Sequence, residues 1–268
     1  MRGVQEKEKL KKIRIEVCGI GKRFVRRFKK ERKNFLEYLI NPILNREKSM
    51  EFDAVKDVSF SVSEGEVLGL IGRNGSGKST LLKLIAGIYT PTTGYIKTDG
   101  SVVYITGFGW GLKTKLTMKE NIYLIGTIMG LNREEIDKKL EEIIDFSGLR
   151  AYLYTPVFQF SSGMISRLNF SIGIHCLEHK KPDILLFDEA FSAGGDIDFQ
   201  EKSIKKMEEF IKEGATVVLV SHRLDLIEKY CNRVMLIENG KIIKTGSPSK
   251  IIEYYKNFTK KRDRNLKD

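Results

Sequence analysis

Residues 67–87 read VLGLIGRNGSGKSTLLKLIAG. An apolar run, Val67 to Ile71, gives way to Gly72-Arg73-Asn74-Gly75-Ser76-Gly77-Lys78-Ser79 and then to Thr80 and an apolar-periodic stretch closed by Gly87. The pattern is a buried strand, a glycine-rich turn and a helix over about 78–87. G-x-x-x-x-G-K-[ST] between a strand and a helix is the setting in which such a turn holds phosphate. Glycines let the backbone curl until successive N–H groups point inward at phosphate oxygens. The helix N-terminus adds the positive end of its dipole. Lys78 can then bridge β- and γ-phosphates, and the Ser79 hydroxyl can bind Mg²⁺.

About 110 residues further on, Ile184-Leu185-Leu186-Phe187 runs into Asp188-Glu189. Four apolar residues ending in two acids describe a buried strand that delivers carboxylates to a sheet edge. Asp188 is the candidate second Mg²⁺ residue, and Glu189 the candidate general base for an attacking water. His222 follows a third apolar run, VVLVS, and is placed to hydrogen-bond a γ-phosphate. His175 and His179 fall on an expected helix and read as structural or solvated.

Around these motifs strands and helices alternate. Residues 13–18 read as a strand, and 22–50 as basic and irregular, with an amphipathic stretch from Phe35 to Leu44 interrupted by Pro42. Residues 55–71 suggest a hairpin strand, a Glu64-Gly65 turn and the buried strand. Short strands are expected in YIKTDGSVVYI, then helices through 117–151, with Asn132 as N-cap, Glu135 as its box partner and Gly148 as the stop. Further helices are expected at about 163–179, 199–213, 223–230 and 247–257, and a hairpin across Asn239-Gly240. Short continuous apolar strands between helices indicate a mostly parallel sheet covered on both faces. The helical block at 117–180 interrupts the alternation as an inserted subdomain.

The 268 residues are 41% hydrophobic and 31% charged, a composition that excludes disordered, collagen-like and membrane-spanning classes. No apolar run approaches the roughly 20 residues of a bilayer span. The charged N-terminus has no apolar segment of a secretory signal. Cys18, Cys176 and Cys231 lie far apart without metal-ligand spacing, as expected of reduced thiols. The net charge of +12 sits at the ends. Residues 1–33 carry fourteen Lys/Arg against four Glu, and 256–268 carry six against two acids. A nucleic-acid surface, an anionic lipid surface and a simply solvated tail all fit that distribution.

The order of phosphate loop, helical block, a Phe160-Ser161-Ser162-Gly163-Met164 segment, DE strand and strand-end histidine resembles an ATP-binding-cassette (ABC) ATPase over about residues 13–255. FSSGM departs from the LSGGQ form of the signature. It is similar to the SSGM form of the polysaccharide, O-antigen and teichoic acid exporters, as are LTMKENIYLIGTIMGL and PVFQFSSGMISRLNFSIGIH.

The resemblance implies a P-loop NTPase of α/β class: a RecA-like mixed sheet core with an antiparallel β subdomain, about 13–116 and 181–257, an inserted helical subdomain, about 117–180, and a basic tail, 258–268. It implies ATP and Mg²⁺ as ligands and ATP hydrolysis as the reaction. ATP would be sandwiched in a homodimer, with Ser161, Ser162 and Gly163 reaching the partner's nucleotide. A separate permease would lie in the membrane, with this chain peripheral on its cytoplasmic face and no nucleic acid bound. The alternative is a soluble cassette acting on nucleic acid or the ribosome. Phe24 is the expected adenine-stacking residue, with Phe28 in reserve. The family's glutamine has no counterpart in Tyr104-Ile105-Thr106-Gly107-Phe108-Gly109-Trp110-Gly111. FSAGGDIDF is one glycine longer than the subgroup's turn, and Asp196 is its expected dimer-contact aspartate.

Overall fold

The strand Val67–Ile71 (β3) is buried at every residue, as are Ile184–Asp188 (β6) and Thr216–Val220 (β7). A strand with no solvent face must be covered on both sides, which is why these segments read as unbroken apolar runs rather than alternations. In the computed structural model, which describes residues 12–27, 49–106, 111–178, 181–191 and 197–265, they lie in one six-stranded sheet. With Val102–Thr106 (β5), Arg233–Glu238 (β8) and Lys241–Gly246 (β9), its order is β5-β6-β7-β3-β8-β9. All neighbours are parallel except β8 and β9, which form the expected hairpin. Asn239 and Gly240 both take positive φ there, 49° and 78°, as a two-residue hairpin turn requires.

Alternate residues of these strands feed two cores. Leu185, Phe187, Val217, Leu219, Val234 and Leu236 pack against the helices Ser162–Glu178 (α4), Ile197–Lys212 (α5), Leu224–Tyr230 (α6) and Pro248–Asn265 (α7). Ile184, Leu186, Val218, Val220, Leu68, Leu70 and Met235 face the helix Lys78–Ile85 (α1) and the second sheet. That second sheet is antiparallel, in the order β2-β1-β4, from Ile13–Arg27 (β1), Ser49–Ser63 (β2) and Thr93–Thr98 (β4). Each fully buried aliphatic or aromatic side chain contributes about 1.5–3 kcal/mol.

The helices Met118–Ile128 (α2) and Arg133–Ser147 (α3) close a third core with α4, around Met118, Ile122, Ile143, Ile144, Leu168 and Ile172. Asn132 caps α3 with Glu135 in a reciprocal box, and Gly148 ends it in the left-handed region, as expected. Thr117 and Glu120 form a second such box at α2.

Some expectations are corrected. The turn at 64–65 exists, with Glu66 N–H donating to the Ser63 carbonyl at 3.0 Å. Its two strands do not pair, however. β2 turns to β1, while β3 enters the parallel sheet between β7 and β8. The first strand runs to Arg27 and the second starts at Ser49, because Phe24↔Phe52 and Arg23↔Asp53 continue the ladder past the expected end. The amphipathic stretch from Phe35 to Leu44 lies outside the described residues. The last helix runs eight residues further than expected, to Asn265. The mixed sheet, antiparallel sheet and helical layer implied by the resemblance are all present.

Candidate functional site

Parallel order puts the carboxyl ends of β6, β7, β3 and β8 side by side on one edge, where ligands of open α/β sheets bind. The phosphate loop leaves β3 there. Gly72 has φ 149° and Gly77 φ 108°. A Cβ on Gly72 would sit 2.1 Å from the Ile237 carbonyl oxygen, and one on Gly77 2.4 Å from that of Ala54. Both glycines are therefore required by the close approach of β8 and β2 as well as by φ. Arg73, Asn74 and Gly75 are exposed at the loop's crest, and a Cβ on Gly75 would meet nothing within 4 Å.

Helix α1 starts after Gly77 with no side-chain cap, and its first internal bond is Leu81 N–H to the Gly77 carbonyl, 2.9 Å. The amides of Lys78, Ser79 and Thr80 precede that bond and have no intrahelical acceptor. The Ser76 hydroxyl is buried with no hydrogen-bond partner, an orphan that a phosphate oxygen can satisfy. Lys78 is buried, and its Nζ donates to the Gly72 and Arg73 carbonyls, both at 2.8 Å. Burial pushes its ammonium pKa down, against the upward pull of Glu189, Asp188 and Glu238. A desolvated ammonium ringed by carbonyls and acids is suited to meet a polyphosphate.

Ser79 Oγ donates to Asp188 Oδ1 at 3.0 Å. The two residues named for Mg²⁺ from the sequence thus touch across 109 positions. A hydroxyl and a carboxylate are hard oxygen donors, and Mg²⁺ is typically held by one or two protein oxygens plus phosphates and water. Among the described residues no three His, Cys, Asp or Glu cluster as a self-sufficient metal cage. The residues present therefore fit Mg²⁺ arriving with a nucleotide.

Glu189 sits one residue past β6 with φ 53°, in the left-handed region that non-glycine residues disfavour. Its N–H donates to the Val220 carbonyl at 3.0 Å. The His222 backbone N–H donates to Glu189 Oε2 at 3.3 Å, and the ring Nε2 lies 3.5 Å from Oε1. The strand-end histidine and the acid are thus direct neighbours.

Phe24 stacks on Phe52 with centroids 5.4 Å apart and meets Tyr89 edge-on at 5.4 Å. Lys22 Nζ lies 5.3 Å from the centre of the Phe24 ring. Phe52, half exposed and two residues before Ala54, extends the aromatic platform beyond Phe24 alone. Phe28 lies outside the described residues.

Ser161 caps α4, its Oγ accepting from Met164 N–H at 3.2 Å, and Ser162 and Gly163 open that helix. Among the described residues none of the three is hydrogen-bonded to the phosphate loop of the same chain. Asp196 and His179 lie outside the described residues. His175 is buried, its Nδ1 2.8 Å from the Ser171 carbonyl, in keeping with a structural role.

Two residues at this edge were not expected from sequence. Tyr104 is buried, and its hydroxyl donates to Asp188 Oδ2 at 2.8 Å. Burial first, and then donation to Asp188, raise its pKa well above the usual phenol range. Glu238, buried at the end of β8, is ion-paired with Arg262 of α7 and pulls on Lys78. A tyrosine in an otherwise aliphatic VVYI run was the one visible signal for the first.

Residues 55–192 match the ABC transporter family. The O-antigen export system ATP-binding protein RfbB of Klebsiella pneumoniae is 44% identical over 209 residues, 78% of this chain and 83% of that one. The teichoic acids export ATP-binding protein TagH of Levilactobacillus brevis is 43% identical over 217 residues, 81% of this chain and 58% of that one. Among solved structures, an ATP binding subunit of an ABC transporter has a TM-score of 0.68 at 24% identity, covering 90% of this chain and 93% of that one. An ATP-binding cassette solved as a dimer in a post-hydrolysis state with ADP and Pi has a TM-score of 0.65 at 21% identity, covering 87% and 98%. The structural likenesses establish the shared fold; the sequence matches, falling on the loop and strands described above, establish that this chain belongs to the ABC transporter family as an ATP-binding, ATP-hydrolysing cassette.

Proposed function

We propose that the chain is the ATPase subunit of an exporter that moves a lipid-linked polysaccharide, of O-antigen, capsule or teichoic acid type, across the cytoplasmic membrane. The likeness to export ATP-binding proteins supports the cargo class. The observation that carries the reaction is the contact of Ser79 with Asp188 beside Lys78.

In this reading the amides of 75–80 and Lys78 grip the β- and γ-phosphates, Lys78 exchanging its two carbonyl partners for phosphate oxygens. Ser79 and Asp188 would hold Mg²⁺, which would supply electrostatic stabilisation of phosphate charge. Glu189 orients the attacking water and takes up its proton, and His222 donates to the γ-phosphate. Phe24, with Phe52, stacks on the adenine. Ser161, Ser162 and Gly163, carried by the helical arm of about 117–180, meet the nucleotide of a second copy. Asp196 belongs to the dimer contact. Two copies close on two ATP molecules, and reopening after hydrolysis drives a separate permease. No described helix is long and apolar enough to cross a membrane, which fits a peripheral partner of such a permease.

Glu189→Gln keeps the side chain's size and removes its basicity. Steady-state hydrolysis should fall by roughly 100-fold or more, with ATP-bound dimers accumulating on size exclusion. Turnover at the wild-type rate would remove Glu189 from the base role. Recovery of a polytopic membrane protein with the full chain would support the export assignment, and salt-sensitive nucleic-acid recovery in its place would sink it.

A further inference from the structure

Asp188 ends a strand, so its backbone is fixed by β5 on one side and β7 on the other. Its carboxylate is not fixed by that ladder and can still turn about the side-chain torsions. Ser79 touches one oxygen, but in the proposed reading that hydroxyl is given over to the cation. The other oxygen is held by Tyr104.

The register explains the reach. Tyr104 pairs with Leu186, so the tyrosine points to the same face of the sheet as Leu186 and as Asp188, two residues on. Its ring is packed in the core with Leu186 and Leu70, and only the hydroxyl extends to the polar edge. A ring with two torsions, clamped in a core, is a donor whose direction is set before any ligand arrives. Groups that hydrogen-bond a metal-binding carboxylate fix its orientation and tune its affinity.

We infer that Tyr104 is a positioning residue for ATP hydrolysis: its hydroxyl, 2.8 Å from Asp188 Oδ2, turns the carboxylate so that Oδ1 faces Ser79 and the divalent cation. This rests on the reading of Asp188 as a Mg²⁺ residue.

The test titrates Mn²⁺, as a spin probe for Mg²⁺, into the full chain saturated with ADP, reading free Mn²⁺ by electron paramagnetic resonance. Tyr104→Phe, which deletes only the hydroxyl, should weaken Mn²⁺ binding about tenfold. ADP affinity in excess chelator should stay within about twofold of wild type, since no nucleotide contact is removed. In turnover, the Mg²⁺ concentration for half-maximal rate should rise more than the rate at saturating Mg²⁺ falls. Tyr104→Met is a second donor-free variant if the first is poorly folded. Asp188→Asn separates the two layers. If it binds Mn²⁺ like wild type, the metal reading fails and the inference with it. If Asp188→Asn loses Mn²⁺ while both Tyr104 variants keep wild-type affinity, Tyr104 is core packing and the inference alone is overturned.

Discussion

At the scale of single residues, the site is a set of groups held in conditions they would not choose alone. Lys78 is a buried ammonium whose own loop carbonyls occupy the place that the proposed reading gives to phosphate oxygens. Lys78→Ala removes a cation that would make at least two charge-assisted hydrogen bonds, each worth about 1.5–3 kcal/mol, so ATP affinity should drop by roughly 100-fold or more. Isothermal titration on the purified chain measures this, and wild-type affinity would contradict the loop's assignment. The residue types of this loop were legible because their chemistry is local: glycines, lysine and serine act within eight consecutive positions. Tyr104 was not legible as a partner of Asp188. Its role depends on β5 lying beside β6 in a register that places Tyr104 opposite Leu186, and nothing near Tyr104 in the chain encodes that neighbour.

Elements show the same division between local and distant causes. The helices at 118–128 and 133–147 were readable because caps and apolar spacing act within a few residues. The turn at 64–65 suggests a hairpin that does not form, because a turn fixes only that the chain changes direction. Which strand it then pairs with is decided by burial, and between β7 and β8 every residue of β3 is buried. Helix α7 outruns its expected end for a tertiary reason. Apart from Phe258, its sequence beyond 257 is polar and basic, yet Arg262 reaches back to the buried Glu238 of β8. Glu238 borders the turn at Gly240, whose N–H donates to the Ser76 carbonyl at 2.9 Å, so the last helix is tied to the rear of the phosphate loop. Arg262→Ala would leave a buried carboxylate short of a partner and should cost about 1–3 kcal/mol of stability in denaturant unfolding. The double variant with Glu238→Gln should recover most of that loss. If Arg262→Ala unfolds with the wild-type midpoint, the pair is ornamental.

For the whole molecule, one sheet edge gathers residues drawn from five strands, and the parallel order of those strands does the gathering. A reader of the sequence could infer that edge from the alternation of apolar strands and helices. The opposite half of the proposed composite site, at the start of α4, makes no hydrogen bond to the loop of its own chain among the described residues, and only the resemblance made it a candidate.

Glu189 adds one thing to that picture. Its φ of 53° places an ordinary residue in a backbone shape that costs L-amino acids about 1–2 kcal/mol. The fold thus gives up robustness at the spot where water would be activated. Asparagine tolerates that shape better. Glu189→Asn should melt a few degrees above the natural chain while turning over almost no ATP. A lower melting point would mean that the carboxylate itself, and not the bent backbone beneath it, sets the local balance. A sturdier protein with a silent engine would show that this bend is kept for work rather than for durability.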